Sequence, residues 1–303
     1  MSYSEHHFVS HDGLSLYYRS YGAGDDVVVC LPGLTRNCKD FEELAEHLAG
    51  NVTRPWRVLT PDLRGRGRSD RDPKSANYHP GTYVRDTWTL LDGLGVDRVA
   101  LIGTSLGGLM SMIMADQQPK RLRGVVLNDV GPELPPEAVG RILQYVGRTP
   151  PASDWAAAAA AAKQNYGLAF PDAPDSFWDR YVRLSWAENP EGRPEPDMDP
   201  AIGEALRKAQ DAVRLLRRLR RWGLLKRVGG VPIDTWDAFR AVTMPCLLLR
   251  GELSDVLTED IVARMQRAKP DLAVQCVPER GHAPLLDEPV ARAAIDGFLQ
   301  RLP

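Results

Sequence analysis

Short, wholly apolar runs alternate with longer amphipathic stretches, and this alternation limits the available folds more than any other feature of the chain. "DVVVCLPG" (26–33), "WRVLTPDL" (56–63), "RVALIG" (98–103) and "LRGVVLNDV" (122–130) each read as a strand, after an opening strand in "LSLYYRSY" (14–21). Between them lie helical patterns. "FEELAEHLAG" (41–50) places Phe41, Leu44, Ala45 and Leu48 on one face, and "YVRDTWTLLDGLG" (83–95) is a helix closed by glycine. "SLGGLMSMIMADQQP" (105–119) is a third helix. Strands that are apolar along their whole length are covered on both faces. The chain therefore predicts a mostly parallel α/β sheet with helices on either side.

After Gly131 the rhythm breaks. From 132 to 239 there are helical patterns and loops but no convincing strand. One stretch, "SDWAAAAAAAKQNYG", has Ser153 or Asp154 placed to cap a run of strong helix formers. Strand–helix order resumes with "CLLLRG" (246–251), "LTEDIVARMQRAK" (257–269), "AVQCVP" (273–278) and "PVARAAIDGFLQRL" (289–302). The expected division is a core of 1–131 and 240–303 with a helical insertion of 132–239. Such an insertion is either a stabilising excursion or a lid over the carboxyl ends of the strands, where open α/β sheets bind ligands. The insertion holds Trp155, Trp178, Trp186, Trp222 and Trp236. It also carries the run "RLLRRLRRWGLLKR" (214–227), read as a lid helix with one apolar face and solvated arginines opposite, the alternatives being contact with an anionic surface, a membrane or a carboxylated substrate.

A net charge of −2 gives no expectation of nucleic acid or membrane as a partner. The first residues lack a basic start followed by an apolar run, and no segment approaches the ~20 apolar residues that span a bilayer. A cytoplasmic protein is the expectation, with homo-oligomerisation left open. Cys30, Cys246 and Cys276 sit in strand-like runs and read as buried thiols, as distinct from a disulfide framework; Cys38 lies outside these runs. No Cys/His pair has ligand spacing, so neither a metal nor a cofactor is expected.

Ser105 stands in "GTSLG", with glycine two residues away on each side, between a predicted strand and a predicted helix. A serine presented on a sharp strand-to-helix turn needs small neighbours there, and the free N–H groups of the following helix face a developing oxyanion. That context marks Ser105 as a nucleophile.

Together, "CLPGLTRN", "PDLRGRGRSD", "GTSLGG", "LRGELSD" and "RGHAPLLDEP" resemble, in this order, the α/β-hydrolase fold superfamily in its serine-hydrolase branch. The resemblance implies an eight-stranded sheet with a cap, and a Ser–His–acid triad. His282, after the last predicted strand, falls where the family places its catalytic base. The order Ser…acid…His makes Asp255 the leading acid, with Asp129 and Glu252 as alternatives. The backbone N–H groups of Leu34 and Leu106 are the expected oxyanion donors, although many relatives carry His-Gly where this chain has Pro32-Gly33. The implied activity is hydrolysis of a small carboxylic ester or similar acyl bond through an acyl-enzyme. The alternatives are enol-lactone or carbon–carbon bond hydrolysis of aromatic-degradation products, and a non-catalytic ligand receptor on the same fold.

Overall fold

The structure, a computed structural model, describes residues 2–209, 226–228 and 231–303. Its centre is an eight-stranded sheet built from β1 (Tyr3–Val9), β2 (Ser15–Tyr21), β3 (Asp26–Leu31), β4 (Trp56–Pro61), β5 (Val99–Thr104), β6 (Leu122–Asn128), β7 (Cys246–Gly251) and β8 (Ala273–Val277). The order across the sheet is β1-β2-β4-β3-β5-β6-β7-β8. Within this sheet β2 pairs antiparallel with both β1 and β4, and from β4 across to β8 every pairing is parallel.

The strand pattern shows why this sheet is buried on both sides. On β3, Val27, Val29 and Leu31 face one core, while Val28 and Cys30 face the other. β7 repeats this, with Cys246 and Leu248 on the first side and Leu247 and Leu249 on the second. The first core is closed by α2 (Pro80–Gly93), α3 (Leu106–Gln117) and α8 (Glu259–Ala268); the second is closed by α1 (Glu42–Ala49) and α9 (Pro289–Gln300). Two layers of helix therefore satisfy strands with no polar face, as their composition demands.

Two expectations need correction at the sheet edges. β1 escapes the sequence reading because its stretch "YSEHHFV" is mostly exposed and carries little apolar signal. Cys276 lies exposed on the edge strand β8, whereas Cys38 is buried beside the loop after β4.

The segment between β6 and β7 contributes α4 (Pro136–Tyr145), α5 (Trp155–Tyr166), α6 (Asp175–Ser185) and α7 (Thr235–Arg240). Asp154 is the residue that caps α5, accepting from Ala157 N at 2.8 Å. α5 and α6 enclose a small core of their own around Phe170, Trp178 and Val182. Two short antiparallel ribbons, Trp186–Glu188 with Pro194–Pro196 and Arg227–Val228 with Val231–Pro232, add strand where none was expected. Most of the 214–227 arginine run, with Trp222, lies outside the described residues. Arg227 pairs with Asp116 of α3. Among the described residues no helix is long and apolar enough to cross a membrane.

The loop after β4 is held by a buried ionic knot. Arg64 is wholly buried and donates to both oxygens of Asp86, at 2.7 and 2.6 Å, and to Asp12 and Asp72. Hydrogen bonding to Arg64 holds the Asp12 carboxyl well below its ordinary value of 3.8. A depressed carboxylate stabilises the fold above its unfolded pKa, and this contribution fades as pH falls through the folded one. Asp12→Asn should therefore lower the urea midpoint at pH 7, with the deficit shrinking by pH 3. An equal deficit at both values would contradict the pairing.

Candidate active site

The turn that carries Ser105 is forced by its glycines. A Cβ on Gly103 would lie 2.4 Å from the Gly107 carbonyl carbon, and one on Gly107 would lie 2.0 Å from the Leu31 carbonyl oxygen. Only hydrogen at both positions lets α3 start directly against β3 and β5. Ser105 itself sits at φ +51°, ψ −111°, a backbone conformation that side chains rarely adopt. Its N–H is tied to the Asn128 carbonyl at 3.0 Å, so the surrounding hydrogen bonds hold the strain in place.

His282 lies between two partners. Its Nε2 is 2.9 Å from Ser105 Oγ, and its Nδ1 is 2.8 Å from Asp129 Oδ2. An ionised carboxylate can only accept, so Nδ1 carries the proton. In the neutral ring this leaves the Nε2 lone pair facing the serine hydroxyl.

The acid differs from expectation. Asp255 does not approach His282: its side chain is 53% exposed and forms a bidentate pair with Arg141 at 2.9 and 2.8 Å. Glu252 also stays away, accepting from Glu279 N at 3.0 Å to link the loops after β7 and β8. Asp129, at the end of β6 and completely buried, stands beside the imidazole instead. The physical reason is a tight turn after β7, closed by Ser254 N to the Gly251 carbonyl, which turns Ser254 inward and Asp255 outward. Ser254 Oγ donates to Asp129 Oδ2 at 2.6 Å, and Gly251 N donates to Oδ1 at 2.9 Å. The Ser254 hydroxyl also accepts from Leu257 N at 3.0 Å, which fixes its direction. A buried carboxylate with this many donors is oriented as well as compensated.

Sequence reading missed Ser254, Asn128 and Glu288. Asn128 Nδ2 donates to the Pro284 carbonyl at 2.8 Å and to Thr104 Oγ1 at 3.0 Å, joining β5, β6 and the histidine loop. Glu288 accepts from Leu285 N and Leu286 N, and burial pushes its carboxyl above the ordinary range. The available signal was an Asn-Asp pair ending an apolar strand, since polar groups carried into a core are there to bond. The insertion touches the same loop: Gly281 N donates to the Ala169 carbonyl at 2.8 Å, and Arg280 pairs with Asp172 at 2.6 Å.

The two residues expected to supply oxyanion donors flank the serine. Leu106 is the first residue of α3, where an N–H has no acceptor within the helix. Leu34 follows Gly33, whose Cβ position would be 3.9 Å from Ser105 Cβ; its carbonyl is held by Arg66 Nε at 2.7 Å. Asp62 anchors the same region, accepting from Cys38 N at 2.7 Å and Arg68 N at 2.9 Å.

Next to Leu34, and lined by Thr35 and Arg36 with none of Ser105, His282 and Asp129 in its walls, a cavity of about 310 Å³ opens between the loop after β3, the loop after β4 and the insertion. Thr35, Arg36, Arg71, Tyr145, Tyr166 and Trp186 are among its walls. Arg36 is engaged by Asp40 through two bonds of 2.7 and 2.6 Å and lies over the Tyr181 ring. Burial pushes the Tyr145 phenol up to about 12 and raises Tyr166 as well, so both hydroxyls stay protonated and able to donate.

Residues 26–289 match the family described as the alpha/beta hydrolase fold. The chain is 30% identical to a 3-hydroxybutyrate-oligomer hydrolase of Cupriavidus necator, over 93% of this chain and 91% of that one. It is 27% identical to a 2-(acetamidomethylene)succinate hydrolase of Mesorhizobium japonicum, over 91% and 89%. A solved alpha/beta hydrolase from Novosphingobium aromaticivorans superimposes with a TM-score of 0.85 at 38% identity, covering 99% of both chains.

Proposed function

Because this chain belongs to the α/β hydrolase fold family of enzymes, we propose that it hydrolyses carboxylic esters, with Ser105 as nucleophile, His282 as base and Asp129 as acid. His282 Nε2 takes the Ser105 proton as Oγ attacks the ester carbonyl, and the imidazolium is stabilised by Asp129. The N–H groups of Leu106 and Leu34 receive the oxyanion. Collapse of the tetrahedral intermediate expels the alcohol, protonated by His282, and leaves an acyl-serine. Water, activated by the same histidine, then releases the acid.

The observation that carries this reading is the hydrogen-bonded line Ser105–His282–Asp129, with links of 2.9 and 2.8 Å. The names of the relatives support a small acyl substrate: one hydrolyses a 3-hydroxybutyrate oligomer and the other a substituted succinate. Residues between 145 and 200 form one side of the cavity, and the segment 132–239 to which they belong is proposed to act as the cap that selects the acyl group.

The test is a fluorophosphonate probe combined with a substrate panel. The expected result is a single adduct mapped to Ser105 and turnover of p-nitrophenyl butyrate. No adduct on folded protein would favour a receptor. Turnover confined to an enol lactone or a ring-cleavage product would replace the ester reading.

A further inference from the structure

The loop after β4 carries four arginines, and three of them are committed to structure. Arg64 is spent on Asp12, Asp72 and Asp86; Arg66 on the Leu34 and Arg64 carbonyls; Arg68 on Glu5. Arg71 is different. It is exposed at the cavity wall, and among the described residues no carboxylate lies within ion-pair distance of it. Arg36, the other cation of the cavity, is already neutralised by Asp40.

We propose that Arg71 receives the free carboxylate of the substrate, so that the preferred ester is an acidic one, carrying a carboxylate a few bonds from the scissile carbonyl. This rests on the ester reading above and names its substrate class. A guanidinium presents a planar fork of donors that matches a carboxylate, and the protonated phenols of Tyr145 and Tyr166 add neutral donors in the same cavity. The ligand is singly charged because Glu195 also lines the cavity, its own bond being a long one of 3.4 Å from Asn189. A dianion such as a phosphate monoester would meet that carboxylate. The cavity adjoins the chemistry through a short stretch of loop: the Cβ position of Gly33 is 3.5 Å from Arg36 Cγ and 3.9 Å from Ser105 Cβ. A volume of about 310 Å³ lies at the lower end of ordinary small-molecule sites and suits a short hydroxy-acid ester.

The experiment compares 3-acetoxybutanoate with its carboxamide, which has the same shape without the charge. Wild type should favour the acid by about tenfold or more in kcat/KM, a modest figure for a charged hydrogen bond because Arg71 is exposed. Arg71→Gln should collapse this ratio towards one, chiefly through KM, and Arg71→Lys should retain part of it. A wild-type ratio near one, or a ratio unchanged in Arg71→Gln, overturns the proposal. Calorimetric binding of 3-acetoxybutanoate to the Ser105→Ala protein separates the two readings. If wild type cleaves neither compound, the ester reading fails. Weaker binding of about fivefold or more on adding Arg71→Gln then still supports the carboxylate site, and equal binding removes it.

Discussion

Ser105→Ala should lower kcat on p-nitrophenyl butyrate by about a million-fold, the scale seen when the nucleophile is taken from a serine hydrolase. Neither Thr104 nor Ser254 is placed to replace it: Thr104 Oγ1 is occupied by Asn128, and Ser254 Oγ is turned towards Asp129. The fold should survive. Alanine inherits the same φ of +51° at no greater backbone cost than serine, and Ser105 makes no capping bond from its side chain. Stopped-flow and steady-state kinetics alongside a thermal melt check both halves. A variant within tenfold of wild type would end the nucleophile assignment, whereas a variant with a collapsed melt would decide nothing about chemistry and would call for Ser105→Cys.

Asp129→Asn is expected to cost about ten-thousand-fold in kcat, and Asp255→Asn less than about twofold. The amide cannot hold the imidazole with its proton on Nδ1 and gives no charge to the imidazolium, although its shape is retained. Asp255 lies on the surface with Arg141, so its loss removes only an exposed ion pair. The two variants measured side by side discriminate sharply. A large effect at Asp255 together with a small one at Asp129 would mean that the acid comes from the loop after β7.

The sequence and the structure part company at this acid, for a definable reason. Strand and helix identity follow from apolar periodicity, so the alternation, the interruption after Gly131 and the small residues around Ser105 were all legible. The placement of His282 beside Ser105 was legible by resemblance. The carboxylate beside it was not, because Asp129 and Asp255 both follow apolar strands. Which one faces the imidazole depends on the turn after β7, where a single residue of phase exchanges Ser254 for Asp255. That phase is set by the Ser254 N to Gly251 bond and by the donors gathered on Asp129. β1 was lost for a related reason, since an exposed edge strand carries too little hydrophobic signal to stand out.

The position of Asp129 also bears on how chains of this kind can be recombined. Asp129 is followed within a few residues by the first insertion segment, and Gly131 packs so closely that a Cβ there would lie 2.8 Å from Ile261 Cγ2. A chimaera that exchanges the insertion with a relative must therefore be joined after Gly131. A junction a few residues earlier would take Asp129, the proposed acid, from the donor chain along with the insertion. Domain shuffling would then have only a narrow seam at which the insertion can be exchanged without disturbing the contact between Asp129 and His282.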